Sequence, residues 1–175
     1  MDFIPVVETE RLILSKHELN DFPSLTRLWA SNSVAEFITG VPSTERESWM
    51  RMLNYGGLWP LLGFGYWAVR DKATGLYLGD LGFADFHRVV EPSVKGIPEG
   101  GWVIAPEHHG QGYATEAMKG ALIWLKSQNK FEQTICFIDP DNTASLRVAK
   151  KVGYVEEKEV FMNGSITILL RQKLN

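Results

Sequence analysis

Apolar and polar positions along this chain follow two rhythms, one of about two residues and one of about 3.6, and each switch marks an element. Residues 11–14 (Arg-Leu-Ile-Leu) read as a first strand. Asn20 or Asp21 can cap a helix that carries Pro23 in its tolerant first turn and Phe22, Leu25, Leu28 and Trp29 on one face. A second helix is expected from Ser43 and Thr44, taking in Trp49, Met50 and Leu53, and residues 55–65, with their glycines and a Trp59-Pro60 step, read as a loop. Strands follow at 66–70 and 76–86 around a turn at 72–75, then a long loop at 87–98 with two prolines and a glycine, then a strand at 100–104. Ala114, Ala117, Met118, Ala121, Leu122 and Leu125 line one face of a strong amphipathic helix. A strand at 134–138 and a short helix at 143–152, stopped by Gly153, lead to a hairpin turned at Asn163-Gly164. The expected order is β-α-α-β-β-β-α-β-α-β-β, a single α/β domain with a mixed sheet over residues 1–175.

The most informative stretch joins the 100–104 strand to the amphipathic helix: Ala105-Pro-Glu-His-His-Gly-Gln-Gly-Tyr-Ala-Thr115. A glycine bend at a helix start leaves backbone N–H groups without carbonyl partners at the positive end of the helix dipole. Gly110 and Gly112 let that backbone approach a ligand with no Cβ in the way. The bend is a cradle for a phosphate or pyrophosphate.

Composition narrows the class. With 175 residues, 45% of them apolar, the chain can bury one substantial core. A net charge of −3 lacks the basic face that nucleic-acid backbone binding requires. No apolar run approaches the ~18 residues of a membrane span. The first ten residues lack the basic start and long apolar core of a secretion signal, so a cytoplasmic protein is expected. The single cysteine, Cys136, lies in an apolar strand pattern and is expected to be core filler rather than a nucleophile. Glu107-His108-His109 on a turn lacks the spacing of a helical metal site, and no metal is expected.

Four features in this order resemble the GNAT superfamily of acyl-CoA-dependent N-acetyltransferases over nearly the whole chain: the sequence of elements, Glu8-Thr-Glu-Arg-Leu-Ile-Leu14, His109-Gly-Gln-Gly-Tyr-Ala114, and Asn142-Thr-Ala-Ser-Leu-Arg-Val-Ala-Lys-Lys-Val-Gly-Tyr154. Within it they look most like the ribosomal-protein N-terminal acetyltransferase (Rim) type. The family's pyrophosphate loop begins with Gln or Arg; here Gly112 and Ala114 match, and His109 holds the Gln/Arg position. The resemblance implies that His109, Gly110, Gln111, Gly112, Tyr113, Ala114 and Thr115 form the grip on acetyl-CoA. It also implies that the strand Trp102-Val103-Ile104 splays from its neighbour and offers backbone groups to the pantetheine arm, with a slot between Ile104 and the 134–138 strand.

Asn142 and Ser145 open the last helix, where both residue types cap well. Ser145 shares a face with Val148, Ala149 and Val152, which turns its hydroxyl inward. In the Rim-type resemblance the matching asparagine bonds the pantetheine arm and the matching serine protonates the departing thiolate. Glu99 matches the glutamate proposed there as base; an α-amino group with a pKa near 8 needs little help, so a carboxylate or an ordered water suffices. Tyr113 reads as part of the turn rather than an acid. The implied reaction moves an acetyl group from acetyl-CoA to a primary amine, either a protein N-terminus or a small amine, by direct attack in a ternary complex. The 55–65 segment would border the acceptor pocket and would also suit a homodimer contact.

Two other readings compete. Gly110-Gln-Gly-Tyr-Ala-Thr115 weakly matches a dinucleotide-binding turn, but Glu132, at the spacing of its acidic residue, precedes the next strand instead of ending it. A non-catalytic acyl-CoA sensor or scaffold module would share the cradle and lack the chemistry.

Overall fold

A two-residue strand, β1 (Val7–Glu8), pairs antiparallel with β2 (Leu12–Ser15). Then come α1 (Phe22–Trp29), α2 (Asn32–Ala35) and α3 (Glu45–Leu62), followed by the meander β3 (Tyr66–Asp71), β4 (Tyr77–Ala84) and β5 (Glu99–Ile104). After α4 (Tyr113–Ser127), β6 (Gln133–Ile138) and α5 (Thr143–Val152), the chain ends in the hairpin β7 (Val155–Met162) and β8 (Ser165–Lys173). The computed structural model describes residues 4–175. All eight strands form one mixed sheet in the order β1-β2-β3-β4-β5-β6-β8-β7. Among the described residues, the β5–β6 pair is the one parallel junction, with α4 as its crossover.

The sheet is covered on both faces. Ala117, Met118, Ala121 and Leu125 of α4 pack on Leu12, Leu14, Leu81 and Phe83, which is the stripe the 3.6-residue rhythm marks out. On the opposite face Leu25, Leu28 and Trp29 of α1 and Met52 and Tyr55 of α3 meet Tyr66, Ala68 and Tyr77. The loop of residues 87–98 buries Val94 against Ile135, Val160 and Leu169. No helix is long and apolar enough to cross a membrane among the described residues.

Three local expectations differ from the structure. Residues 55–62 are not a loop: they continue α3 to Leu62, and only 63–65 connect it to β3. Burial of Met52, Tyr55 and Trp59 along one side of α3 outweighs the propensity cost of Gly56 and Gly57. Pro60 forfeits one hydrogen bond near the helix end, where Gly63, at φ +76°, caps the helix by donating to Trp59 O. The start of α3 is as read, with Thr44 and Glu47 closing a reciprocal capping box.

Strand β1 and the single-turn α2 extend the expected element order, being too short to leave a periodic signal. Asp21 occupies the N-terminal cap position of α1 but makes no capping bond. Its carboxylate instead accepts from Arg70 Nη1 and Nη2, both at 2.7 Å, in a charged fork, and from the Glu18 N–H behind it.

One buried polar cluster fixes α1 to the sheet. Asp80 on β4 is fully buried and accepts from His17 Nε2 at 2.7 Å, Tyr77 Oη at 2.6 Å and Trp29 Nε1 at 2.8 Å. His17 stacks on Tyr55 at 5.0 Å, and Tyr55 stacks on Tyr66 at 4.6 Å with the rings 3° from parallel. This relay carries a rigid stack from the interior toward the open end of β5.

Candidate active site

β5 and β6 touch at one register position, Glu99 opposite Ile135. That junction is reinforced where Pro98 O accepts from Ile135 N at 3.1 Å and from Thr134 Oγ1 at 2.7 Å. From Gly100 onward the two strands part. Each keeps its outer neighbour, β4 for β5 and β8 for β6, so the edges facing the gap hold unpaired backbone N–H and C=O groups. Such groups are obligatory hydrogen-bonders, and an extended ligand bearing amides can satisfy them. The gap opens into a groove of about 1160 Å³, lined along it by Gly100 to Val103 and Cys136 to Asp139, with Asn142 and Ser145 beside them.

The glycine bend closes one end of this line. Gly110 and Gly112 hold φ of +75° and +80°, and Gly112 is the N-terminal cap residue of α4. Glu116 N is the first in the helix to find a carbonyl, Gly112 O at 3.0 Å. Among the described residues, the N–H groups of Gln111 to Thr115 have no protein acceptor. His109 does not point into the bend: its Nε2–H donates to Ile104 O at 2.6 Å, which ties the turn to the end of β5. The nearby cation is Arg11. Its Nη1 donates to Gln111 O at 3.0 Å, its Nε to Glu116 at 2.7 Å, and its guanidinium lies 4.6 Å over the Tyr113 ring. Glu116 also accepts from Thr9 Oγ1 and Arg11 N. These bonds outweigh partial burial and hold its carboxyl below the usual range.

Trp102 and Val103 line the groove, and the Ile104 side chain packs in the core beneath α4, with its backbone at the end of β5. Beyond Glu99, the lining on β5 runs from Gly100 to Val103. Asn142 performs the capping role, its Oδ1 accepting from Ser145 N at 3.1 Å, and Ser145 is half-buried on the groove wall. Cys136 sits on the opposite wall, where burial pushes its thiol well above the ordinary value, so it stays protonated and unreactive.

Glu99 is the first residue of β5 and lies about 17 Å of extended strand from Ile104, where the turn begins. It is buried, 6% exposed, rather than solvated. Arg88 donates to both its oxygens, Nε to Oε2 at 2.6 Å and Nη2 to Oε1 at 2.7 Å. Burial raises the Glu99 carboxyl above the usual range, Arg88 pulls it back, and Asp85 adds a small further rise.

Tyr66 stands beside this pair, and burial pushes its phenol far up. Its hydroxyl occupies the space over Gly101, where a Cβ would come within 2.1 Å of it. Beyond Tyr66 the groove widens between Phe37, Ile38, Met50 and Leu61 on one side and the β7–β8 turn at Met162 and Asn163 on the other. Among the described residues no three His, Cys, Asp or Glu side chains cluster as a metal site would.

Arg88, Tyr66 and Arg11 carry no mark in the sequence as site residues. Arg88 lies in an aperiodic loop, Tyr66 reads as an ordinary strand aromatic, and Arg11 reaches its turn across 100 residues.

Known proteins share this architecture. The family profile described as "Acetyltransferase (GNAT) domain" matches residues 11–155. An uncharacterized N-acetyltransferase of Bacillus subtilis, YnaD, is 36% identical over 155 residues, covering 86% of this chain and 83% of that one. The B. subtilis protein YkkB is 33% identical over 114 residues, a match spanning 65% of this chain and 64% of YkkB. An acetyltransferase from Agrobacterium tumefaciens superposes with a TM-score of 0.83 at 25% identity, covering 97% of this chain and 94% of that one.

Two more distant structures share the fold. RimL, a ribosomal-protein α-N-acetyltransferase in complex with coenzyme A, gives a TM-score of 0.77 at 15% identity, with 97% and 98% of the chains covered. AAC(6')-Ib in complex with paromomycin and acetyl-CoA gives 0.75 at 14% identity, with 94% of each chain covered. The profile across most of its length and the relative at 36% identity place this chain in the GNAT acetyltransferase family.

Proposed function

We propose that this acetyltransferase takes acetyl-CoA as its acyl donor and transfers the acetyl group to a primary amine by direct attack in a ternary complex. The observation that carries the reading is the parting of β5 from β6 after Glu99, on the strand that leads into the bend whose N–H groups at Gln111 to Thr115 are free. The residues fit such a donor. N–H groups from Gln111 to Thr115 would hold its pyrophosphate, on a turn that His109 ties to Ile104 O and Arg11 braces at Gln111 O. The open edges at Gly100 to Val103, together with Asn142, would bind the pantetheine arm. Acetyl-CoA supplies a thioester whose carbonyl is the electrophile and whose thiol departs.

The chain's own groups then have separate tasks. Glu99 takes the proton from the attacking nitrogen. Backbone N–H groups of β5 facing the gap polarise the carbonyl. Ser145, on the groove wall, gives a proton to the departing sulfur. Held in line, the two reactants owe most of the rate to proximity. The Rim-type resemblance favours a protein N-terminus as acceptor, and the apolar walls at Phe37, Ile38 and Met50 suit a side chain beside that amine; a small amine is the other candidate.

Calorimetric titration of CoA into wild type, Gly112→Val and Ser145→Ala tests these assignments. Valine at a positive φ costs roughly 1–2 kcal/mol, relieved by turning the peptide N–H groups away, so CoA affinity should fall about tenfold. Ser145→Ala should bind CoA within about twofold of wild type and lose about tenfold or more in turnover. Wild-type turnover in Ser145→Ala removes the serine from its role, and unchanged affinity in Gly112→Val removes the bend from the phosphate site.

A further inference from the structure

Glu99 faces a conflict that the strand alone cannot resolve. A base must be ionised before it accepts a proton, yet this carboxyl is buried at the floor of the groove, and an unpaired buried charge is expensive. The groups that face it come from several elements. Asp85 and Arg88 stand on the loop after β4, the Tyr66 hydroxyl on β3, the Cys136 thiol on β6, and the Tyr154 hydroxyl just before β7. Of these, Arg88 alone is a cation. Desolvation and Asp85 both favour the neutral acid, and only Arg88 opposes them.

The geometry of Arg88 is that of a fixed clamp rather than a surface partner. Its guanidinium lies between two aromatic rings, 5.0 Å from the Phe86 centroid and 5.4 Å from that of Phe137. Its loop is fastened on both sides. Asp85 Oδ2 accepts from Gly96 N at 2.8 Å, Lys158 Nζ donates to Glu91 O at 2.6 Å, and Val94 is buried. The fork uses one lone pair on each carboxylate oxygen, through Nε and Nη2. A carboxylate has about four such sites, so one on each oxygen stays available to an amine or a water in the groove.

We propose that Arg88 is a positioning residue for acetyl transfer: it holds the Glu99 carboxylate ionised and in one orientation, with its free lone pairs toward the acceptor amine. The inference rests on the transferase reading for its chemistry. In the step it serves, an acceptor N–H bond breaks as a Glu99 O–H bond forms. The nitrogen lone pair bonds the acyl carbon, the C–S bond breaks, and the sulfur takes its proton from Ser145, which regains one from water as the Glu99 carboxyl releases its own to water. No oxidant or further reactant is needed. The loop of residues 87–98 thereby becomes part of the site.

The test follows the Glu99 carboxyl carbon by NMR in protein labelled with 13C-glutamate, with Glu99→Gln identifying the resonance. It compares wild type, Arg88→Gln and Arg88→Lys, and records kcat/KM for the amine against pH in parallel. Arg88→Gln leaves the carboxyl buried with no cation. Its titration should move up by about one unit or more, and the lower acidic limb of kcat/KM, below the one the amine itself sets near pH 8, should move up with it. Arg88→Lys restores the charge without the fork, so Glu99 should titrate near its wild-type position while kcat stays low. An unchanged Glu99 titration in Arg88→Gln, or an acidic limb that does not move, overturns the proposal. A shifted Glu99 signal in a protein that forms no amide would contradict the transferase reading and leave the hold on the carboxylate standing.

Discussion

Replacing Glu99 by glutamine should slow acetyl transfer at pH 7 about 10²-fold, with CoA affinity unchanged. The magnitude sits at the lower end of general-base effects because an α-amino group, with a pKa near 8, is already partly neutral there. The sign with pH follows from the same fact. As pH rises past the amine's own pKa the acceptor arrives deprotonated, so the gap between wild type and variant should narrow. CoA affinity should hold because Glu99 stands at the opposite end of β5 from the glycine bend. Steady-state rates across pH, with calorimetric CoA binding on the same samples, check both halves. A gap that is constant with pH would assign Glu99 to structure rather than to proton transfer.

Asp80→Ala should cost about 3–5 kcal/mol of stability, the range for removing one partner of a buried charged network. The carboxylate is the shared acceptor for His17, Trp29 and Tyr77, and its removal leaves three donors facing each other without one. Trp29 ties α1 to β4 through this group, so the loss falls on the helical layer that walls the acceptor end of the groove. The damage should also reach function, because His17 supports Tyr55 and Tyr55 supports Tyr66. Asp80→Asn keeps one acceptor oxygen but turns an amide donor toward the same groups, and should lose an intermediate amount. Urea midpoints measure both. A loss below about 1 kcal/mol for alanine would mean that water replaces the carboxylate.

How much of this was legible beforehand depends on the range of the interaction. The glycine bend and α4 were, since Gly112 and the stripe from Ala114 to Leu125 act through their own backbone and helix face. So was the terminal hairpin, where Asn163 and Gly164 take the positive φ values its turn demands. The parting of β5 from β6 came from the resemblance, not from any pattern in Trp102-Val103-Ile104.

What stayed hidden depends on distant partners. Gly56, Gly57 and Pro60 punctuate residues 55–62 like a loop, and only the burial of Tyr55 and Trp59 makes them helix. The burial of Glu99 carries no local mark beside Pro98, because its partner Arg88 lies 11 residues away in a loop with no period. Asp21 has a capping residue's chemistry and position, yet Arg70 on β3 takes its oxygens. In each case a long-range contact decided between local alternatives that were close in energy.

On this reading the gap between β5 and β6 holds acetyl-CoA with its thioester toward an amine at Glu99. The most direct test is incubation with acetyl-CoA and a mixed panel of primary amines and peptide N-termini, following free thiol release and amide formation together. Thiol release should depend on the amine, with one amide formed per thiol, and both should slow about 10²-fold in Glu99→Gln at pH 7. Thermal stabilisation by CoA with no amide on any member of a broad panel would contradict that reading and describe a sensor instead.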